Sequence, residues 1–197
     1  MASHLPDELK KAKDFHSHLG PYLVVGLKMG RSVVHRLGDE PFSMTIEVFT
    51  GQHPPMSCVV DGLQLATPCT VGNGWLKIIN LGRFALSFFE KFTGSGVRVY
   101  VDNKKLDDWP EVKTFFFKLK PKKEQDFAVL MDEVHRAHTS IFSVQKVLLD
   151  LDFIRSHRRG GFAVCPLCGE GYPVNDGKLC LGCQGDAPYV SMEIPDS

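Results

Sequence analysis

The sequence predicts an α+β protein, in which helices pack on a sheet, followed by a small zinc-ribbon domain. Three observations lead to this fold class. Residues 21–37 have the pattern of a helix, residues 43–50 and 96–101 alternate as β-strands do, and four cysteines lie close together near the C-terminus. The chain has 197 residues, of which 43% are hydrophobic and 23% charged, and this is enough to bury a core.

The charge balance and the apolar stretches argue against two classes of function. Lys plus Arg and Asp plus Glu both number 23, so the net charge is zero and no overall field attracts nucleic acid or an anionic membrane. The longest apolar stretch, residues 22–27, is far shorter than the roughly 20 residues that span a bilayer. Residues 1–15 lack the apolar core of a signal peptide. We therefore expect a cytoplasmic protein that does not contact membranes.

The first predicted helix begins at Pro21, which suits the first helical position, and ends before Gly38. Gly26 and Gly30 are four residues apart, so they share a face on which another backbone can approach closely. Strands are predicted at residues 43–50 and 96–101, and weaker strand candidates lie at residues 57–60 and 76–79.

Apolar residues at steps of three and four predict one long C-terminal helix over residues 127–151. The series is Phe127, Leu130, Val134, Ala137, Ile141, Val144, Leu148 and Leu151. A helix of this length exceeds what a domain of about 150 residues needs to cover its own sheet. We therefore expect a homodimer that forms through helix 127–151; the alternative is a long core helix in a monomer.

A basic segment that ends in glycine, residues 155–161, divides the chain. It separates a predicted α+β metal-binding domain, residues 1–155, from a zinc ribbon at residues 160–190. The second domain has too few apolar residues to fold without a staple, so we expect a bound metal to stabilise it.

The last four cysteines have the spacing of a metal site. They are Cys165, Cys168, Cys180 and Cys183, in a C-x2-C-x11-C-x2-C pattern. Two residues between cysteines let both sulfurs converge on one ion, and two such pairs complete a closed, structural four-thiolate shell. Zinc is favoured over a redox dithiol pair, an Fe–S cluster or two disulfides, and iron in the same shell is the alternative metal. Because the only basic residue of the ribbon is Lys178, we expect it to contact protein rather than nucleic acid.

A second set of metal-ligand residue types lies in the first half of the chain. His16 and His18 come just before the helix, and Cys58 and Cys69 lie farther along. Imidazole and thiolate are ligands that zinc prefers. Three roles are open to the intervening Asp61: metal ligand, partner that orients a ligating imidazole, or base.

Three segments of the chain together resemble the E-subunit family of formylmethanofuran dehydrogenase. They are HSHLGPYLVVGLKMG at residues 16–30, CVVD at 58–61 and TPCTVGNG at 67–74, and the C-terminal ribbon also matches. The resemblance implies an α+β domain with an antiparallel sheet and a metal near the histidine motif and the two cysteines. It places His16 and His18 at the family's histidine pair and Cys58 and Cys69 at its cysteines.

One residue departs from the family pattern. The family commonly has a cysteine before the proline of the histidine motif, and this chain has Gly20 there. The departure favours a mixed His/Cys site over a site with three thiolates. The metal is expected to be zinc or another divalent transition metal.

Three functional hypotheses follow. In the first, the two histidines and two cysteines of the N-terminal domain hold a metal with an open position, and Asp61 takes part in proton transfer in a metal-dependent enzyme. In the second, the chain is an accessory subunit of a molybdenum or tungsten oxidoreductase, the enzyme with which the family is associated by name and gene context, and both metals are structural. In the third, the ribbon and Arg155, Arg158 and Arg159 bind nucleic acid, which the neutral net charge disfavours.

Overall fold

The structure, a computed structural model, describes residues 6–37, 43–150 and 161–186. The chain divides into two compact units, Met1–Leu151 and Asp152–Ser197. The predicted linker lies outside the described residues except for Gly161, and so do Gly38 and the three arginines at positions 155, 158 and 159.

The first unit is built on a five-stranded sheet. The strands are β1 (Met44–Val48), β2 (Leu76–Ile78), β3 (Ala85–Glu90), β4 (Ser95–Val101) and β5 (Phe142–Leu148). Their order across the sheet is β2-β1-β3-β4-β5. β1 and β2 are parallel, and the other neighbouring pairs are antiparallel. The α+β class with a mainly antiparallel sheet is therefore confirmed, as are the strands predicted near residues 43–50, 76–79 and 96–101.

Five α-helices accompany the sheet in the described part of the first unit. They are α1 (Asp7–His16), α2 (Pro21–Leu37), α3 (Cys58–Ala66), α4 (Pro110–Phe117) and α5 (Phe127–Ala137). Fully buried side chains of α2, α3, β1 and β3 meet in one apolar core, among them Met29, Leu63, Ile46 and Phe88. No helix within the described ranges is both long and apolar enough to cross a bilayer.

The predicted close approach at the glycines of α2 is confirmed, and the partner is α3. A β-carbon on Gly26 would lie 2.2 Å from the carbonyl oxygen of Val59, and one on Gly62 would lie 2.3 Å from that of Leu23. Only glycine avoids these overlaps, because both separations are far below van der Waals contact. The two helices therefore pack backbone to backbone near their N-terminal ends.

The prediction of one helix over residues 127–151 is wrong. The helix ends at Ala137, because His138 adopts φ 49° and ψ −115°, and the chain then forms strand β5. The segment FSVQKVL alternates apolar and polar side chains, and it pairs with β4 over its whole length, so sheet hydrogen bonds outweigh helix periodicity here. The dimer contact expected along this helix therefore lacks the continuous seam on which it was based.

The weak strand candidate at residues 57–60 is also wrong, because these residues begin α3. The adjacent β-branched Val59 and Val60 favour a strand locally. In the helix, Val59, Leu63 and Ala66 lie on one buried face against α2, and this tertiary packing overrides the local preference.

The second unit contains a short hairpin and two 3-10 turns among its described residues. The hairpin strands are β6 (Phe162–Val164) and β7 (Gly171–Pro173), paired antiparallel. The 3-10 segments are Val174–Asp176 and Leu181–Gln184. The hydroxyl of Tyr172 donates a hydrogen bond of 3.0 Å to the carbonyl of Gly177, which ties the hairpin to the following turn.

Candidate metal centres and an adjoining cavity

The four C-terminal cysteines converge in the second unit. The Sγ atoms of Cys165, Cys168, Cys180 and Cys183 all lie within 4.8 Å of one another. Thiolates at this spacing fit a tetrahedral ion, since a zinc–sulfur bond is about 2.3 Å. The Cys168–Cys180 sulfur separation is 3.7 Å.

Local backbone geometry places these sulfurs. Cys165 follows β6, and a turn that ends at Gly169, with φ 80°, brings Cys168 back toward it. Cys180 and Cys183 flank the second 3-10 segment, which ends at Gly185 with φ 106°. Hydrogen bonds from the backbone N–H groups of Cys180 and Cys168 lower the pKa of Cys165 to about 6, which favours the thiolate that a metal binds.

His16 and Asp61 form the best-defined polar contact of the first unit. His16, the last residue of α1, lies 2.6 Å through its Nδ1 from Oδ2 of Asp61 in the first turn of α3. The side-chain amide of Gln64 donates to the other carboxylate oxygen at 3.3 Å. The carboxylate therefore fixes the orientation of the imidazole ring.

The second ring nitrogen of His16 has no partner. Nε2 is buried and makes no hydrogen bond in the described structure. Because the carboxylate accepts a hydrogen bond from Nδ1–H, Nε2 carries the lone pair of the neutral ring. A buried lone pair without a donor is costly, so a missing partner is expected at this atom.

His18 and Cys58 lie beside His16. The imidazole rings of His16 and His18 have centroids 4.7 Å apart. Cys58 borders a small hollow of about 290 Å³ together with His16 and Asp61, and it also borders a larger cavity together with His18. Burial, followed by the negative charge of Asp61, raises the pKa of the Cys58 thiol.

Cys69 lies apart from these residues. Its side chain is fully buried in the apolar core, and its thiol donates to the carbonyl of Met44 at 3.7 Å. Burial raises the pKa of Cys69 to about 11. It borders neither of the two cavities that Cys58 borders.

The four predicted N-terminal ligands do not form a ready-made cluster. Across the described ranges, the cysteines of the second unit are the one group of three or more His, Cys, Asp or Glu residues whose ligand atoms all lie within 4.8 Å. The structure thus brings together His16, Asp61, His18 and Cys58 and leaves Cys69 in the core.

The larger cavity has a volume of about 720 Å³ and adjoins His18 and Cys58. Its walls come from the start of α2, the start of α3, the segment after α4 and the start of α5. The wall residues include Tyr22, Phe115 and Leu130, and also Lys118, Lys120 and Lys122. Burial, and then the charge of Cys58, raises the pKa of Tyr22, so its phenol stays protonated at neutral pH.

Sequence reasoning missed Tyr22 and the three lysines as cavity residues. The signal present in the sequence is the segment KLKPKK at residues 118–123, in which basic residues recur with an apolar residue and a proline between them. Nothing local relates this segment to the histidine motif, because the two meet only in the folded chain.

Two family models match the chain. The model described as "FmdE, Molybdenum formylmethanofuran dehydrogenase operon" matches residues 15–149. The model described as "FmdE treble clef zinc finger" matches residues 156–190. Together with the four-cysteine cluster, the second match supports zinc at the C-terminus.

A solved structure and a curated protein are also similar. The structure is an FmdE-like protein of tungsten formylmethanofuran dehydrogenase type from Syntrophus aciditrophicus, with 37% identity, coverage of 93% of this chain and 94% of that chain, and a TM-score of 0.79. The curated protein, "Probable S-adenosyl-L-methionine-binding protein" of Archaeoglobus fulgidus, is 28% identical over 192 residues, which are 90% of this chain and 52% of that protein.

The chain thus spans about half the length of its curated archaeal relative and nearly the whole of the solved structure. The resemblance found in the sequence motifs is confirmed by the first family model, which covers more than half of the chain. The chain belongs to the FmdE family.

Proposed function

We propose that the first unit is a metal-dependent small-molecule-binding domain whose metal is held by His16, His18 and Cys58. The metal is zinc or another divalent transition metal, because the donors are imidazole and thiolate. Three protein ligands leave a coordination position open, as in catalytic rather than structural zinc sites. Cys69 is omitted from this ligand set, because its thiol is in the core and bonds to a backbone carbonyl.

The observation that carries this proposal is the state of the His16 ring. Its Nδ1 contacts a carboxylate at 2.6 Å, and its Nε2 is buried without a partner. Metal-ligating histidines commonly donate their other ring N–H to a carboxylate, which fixes the tautomer and strengthens the ligand. The chemistry of the donor set therefore fits a metal at Nε2.

The residues of the chain have distinct roles in this proposal. Asp61 is a positioning residue that accepts the Nδ1–H of His16, and Gln64 holds the carboxylate. Tyr22 keeps its proton and can donate a hydrogen bond to a molecule in the cavity. A bound metal would supply a Lewis acid that polarises a ligand oxygen or lowers the pKa of a bound water.

Elemental analysis of the purified full chain tests the ligand set. We expect two metal ions per chain in the wild type and one in His16→Ala and in Cys58→Ser, because the C-terminal cysteines keep their own ion. Cys69→Ser is the matched thiol control and should keep two. If wild type binds only one ion, or if Cys69→Ser loses an ion and Cys58→Ser does not, the proposed site is wrong.

A second candidate role is that of an accessory protein of a molybdenum or tungsten oxidoreductase. The family model is described by the operon of such an enzyme, and the second unit exposes large apolar side chains that suit protein contact. They are Phe162, Val164, Leu167, Val174 and Leu181. Copurification with a pterin-containing enzyme, lost in Phe162→Ser/Val164→Ser, would support this role, and purification without such an enzyme would count against it.

The name of the archaeal relative adds S-adenosylmethionine as a candidate ligand of the cavity. That molecule has a net positive charge at neutral pH. The cavity is bordered by three lysines and by no aspartate or glutamate, so its charge disfavours this ligand. Calorimetric titration with S-adenosylmethionine tests the point, and we expect no binding at concentrations that saturate a typical cofactor site.

A further inference from the structure

The larger cavity has the size and the apolar walls of a small-molecule site. Its volume of about 720 Å³ lies within the range of roughly 300–1,000 Å³ that is typical of such sites. Most of its wall residues are apolar or aromatic. They include Leu19, Pro21, Tyr22, Leu23, Phe115 and Leu130. A flat apolar molecule can therefore replace water there at little polar cost.

The charged residues of the wall all have the same sign. Lys118, Lys120 and Lys122 border the cavity, and no acidic residue does. Lys120 lies 3.8 Å from Glu111, and the described residues provide no ion-pair partner for Lys118 or Lys122. The carboxylate of Asp126 accepts the backbone N–H groups of Ala128 and Val129, so it already has its partners.

The segment that carries these lysines is held in place by hydrogen bonds. The backbone N–H of Leu119 donates to Thr114 at 3.0 Å, and the side-chain amide of Gln125 donates to the carbonyl of Lys120 at 2.8 Å. The segment then forms a short 3-10 turn at Lys122–Glu124. Three cations are thus fixed on one side of an apolar cavity whose opposite wall includes His18 and Cys58.

We propose that this cavity binds an organic anion with an aromatic or heteroaromatic body, whose negative group faces Lys118, Lys120 and Lys122. The aromatic body packs among Tyr22, Phe115 and the neighbouring apolar residues. The assignment of this anion as the ligand of the metal rests on the proposed function, because His18 and Cys58 are common to both sites. Binding of the anion to the cavity does not itself require the metal.

Two fluorescent probes with the same ring skeleton test the charge preference. Anilinonaphthalene sulfonate carries one negative group, and N-phenylnaphthylamine is its neutral counterpart. We expect the full-length folded protein to bind the sulfonate about tenfold more tightly, the sum of three modest ion pairs. Equal affinities, or a preference for the neutral probe, would overturn the proposal.

Matched variants locate the binding. Lys118→Gln/Lys120→Gln/Lys122→Gln should lose the preference and keep affinity for the neutral probe. Lys10→Gln/Lys104→Gln/Lys146→Gln removes the same charge at exposed lysines that do not border the cavity, and it should keep the preference. If both variants lose the preference equally, the effect is one of overall charge and the proposal is wrong.

A blocking variant tests the cavity itself. Leu119 borders the cavity with a side chain that is 61% exposed, so Leu119→Trp can be accommodated and should weaken both probes. Leu81→Trp is the control, at an exposed leucine that does not border the cavity. Unchanged binding in Leu119→Trp would place the probes elsewhere and overturn the proposal.

Metal content of the same samples separates the two proposals. Charge-dependent probe binding by a protein with one metal ion would support the anion site and contradict the N-terminal metal. Two metal ions without a charge preference would support the metal site and contradict the anion site. His16→Ala should keep the preference for the sulfonate, because His16 does not border this cavity.

Discussion

At the scale of single residues, the state of one imidazole decides the account of the first unit. His16 closes α1, and Asp61 lies in the first turn of α3, 45 residues later. Their contact commits Oδ2 of Asp61 to Nδ1 of His16, so this carboxylate oxygen is not free to act as a base. Of the three roles that the sequence leaves open to Asp61, the geometry favours orientation of a ligating ring.

Replacement of Asp61 tests this role. Asp61→Asn keeps the shape of the side chain but removes the charge that fixes the tautomer of His16. We expect N-terminal metal affinity to fall about 10- to 100-fold, the usual effect of losing such a partner, while the C-terminal metal is unaffected. Competition with a chromophoric chelator measures both sites. Unchanged affinity at the N-terminal site would contradict the orienting role.

Gly20 offers a test in the opposite direction. A β-carbon on Gly20 would lie 3.5 Å from Nε2 of His18, an ordinary contact. Gly20→Cys, which restores the residue common in the family, should therefore place a thiol beside the site and tighten metal binding at least about tenfold. Gly20→Ser has similar size and is the control. Equal affinities in the two variants would show that position 20 does not reach the metal.

The buried thiol of Cys69 makes a prediction about pH. Burial raises its pKa from an ordinary value of about 9 to about 11. The folded state thus holds the proton more tightly than the unfolded state, which contributes stability below pH 9 that is lost between pH 9 and 11.

Urea unfolding of wild type and Cys69→Ala across this range measures the effect. The difference in unfolding free energy between the two proteins should narrow by on the order of 1–2 kcal/mol as the pH rises. A difference that stays constant with pH would mean that Cys69 titrates normally.

At the scale of elements, the close packing of α2 on α3 positions the histidine motif. α2 begins three residues after His18, and α3 begins at Cys58, so the contact near Gly26 and Gly62 holds both ends of the site. The glycine spacing in α2 is readable from the sequence. Its partner helix is not, because Val59 and Val60 favour a strand until α2 packs against them.

Gly26→Ala tests this contact. The added carbon would overlap the Val59 carbonyl, with which it would share only 2.2 Å, so the helices must separate. We expect a loss of about 2–4 kcal/mol in unfolding free energy, together with weaker N-terminal metal binding. Gly72→Ala is the control, because its β-carbon meets only Thr70 Oγ1 at 3.8 Å. Equal stability of the two variants would contradict the packing account.

The segment after Phe127 shows how an element can be misread. Its apolar residues fit steps of three and four over residues 127–151, yet residues 142–148 also alternate as a strand. Local periodicity cannot choose between the two, because the choice depends on β4, more than 40 residues earlier, which supplies the pairing.

At the scale of the whole molecule, what the sequence reveals depends on how far apart the interacting residues lie. The C-terminal cysteines are close in sequence, so their spacing predicts the cluster that the structure shows. The contact of His16 with Asp61 spans 45 residues and is supported in the sequence only by the family resemblance. The lysines that border the cavity come from a third segment, about 100 residues from the histidine motif.

Anomalous diffraction at the zinc edge from crystals of the full chain, grown without chelator, tests the central claim most directly. We predict two peaks in each chain. One should lie among the four C-terminal sulfurs, and the other about 2.0–2.1 Å from Nε2 of His16. A single peak at the cysteines, or a second peak that does not contact His16, would contradict the metal site proposed for the first unit.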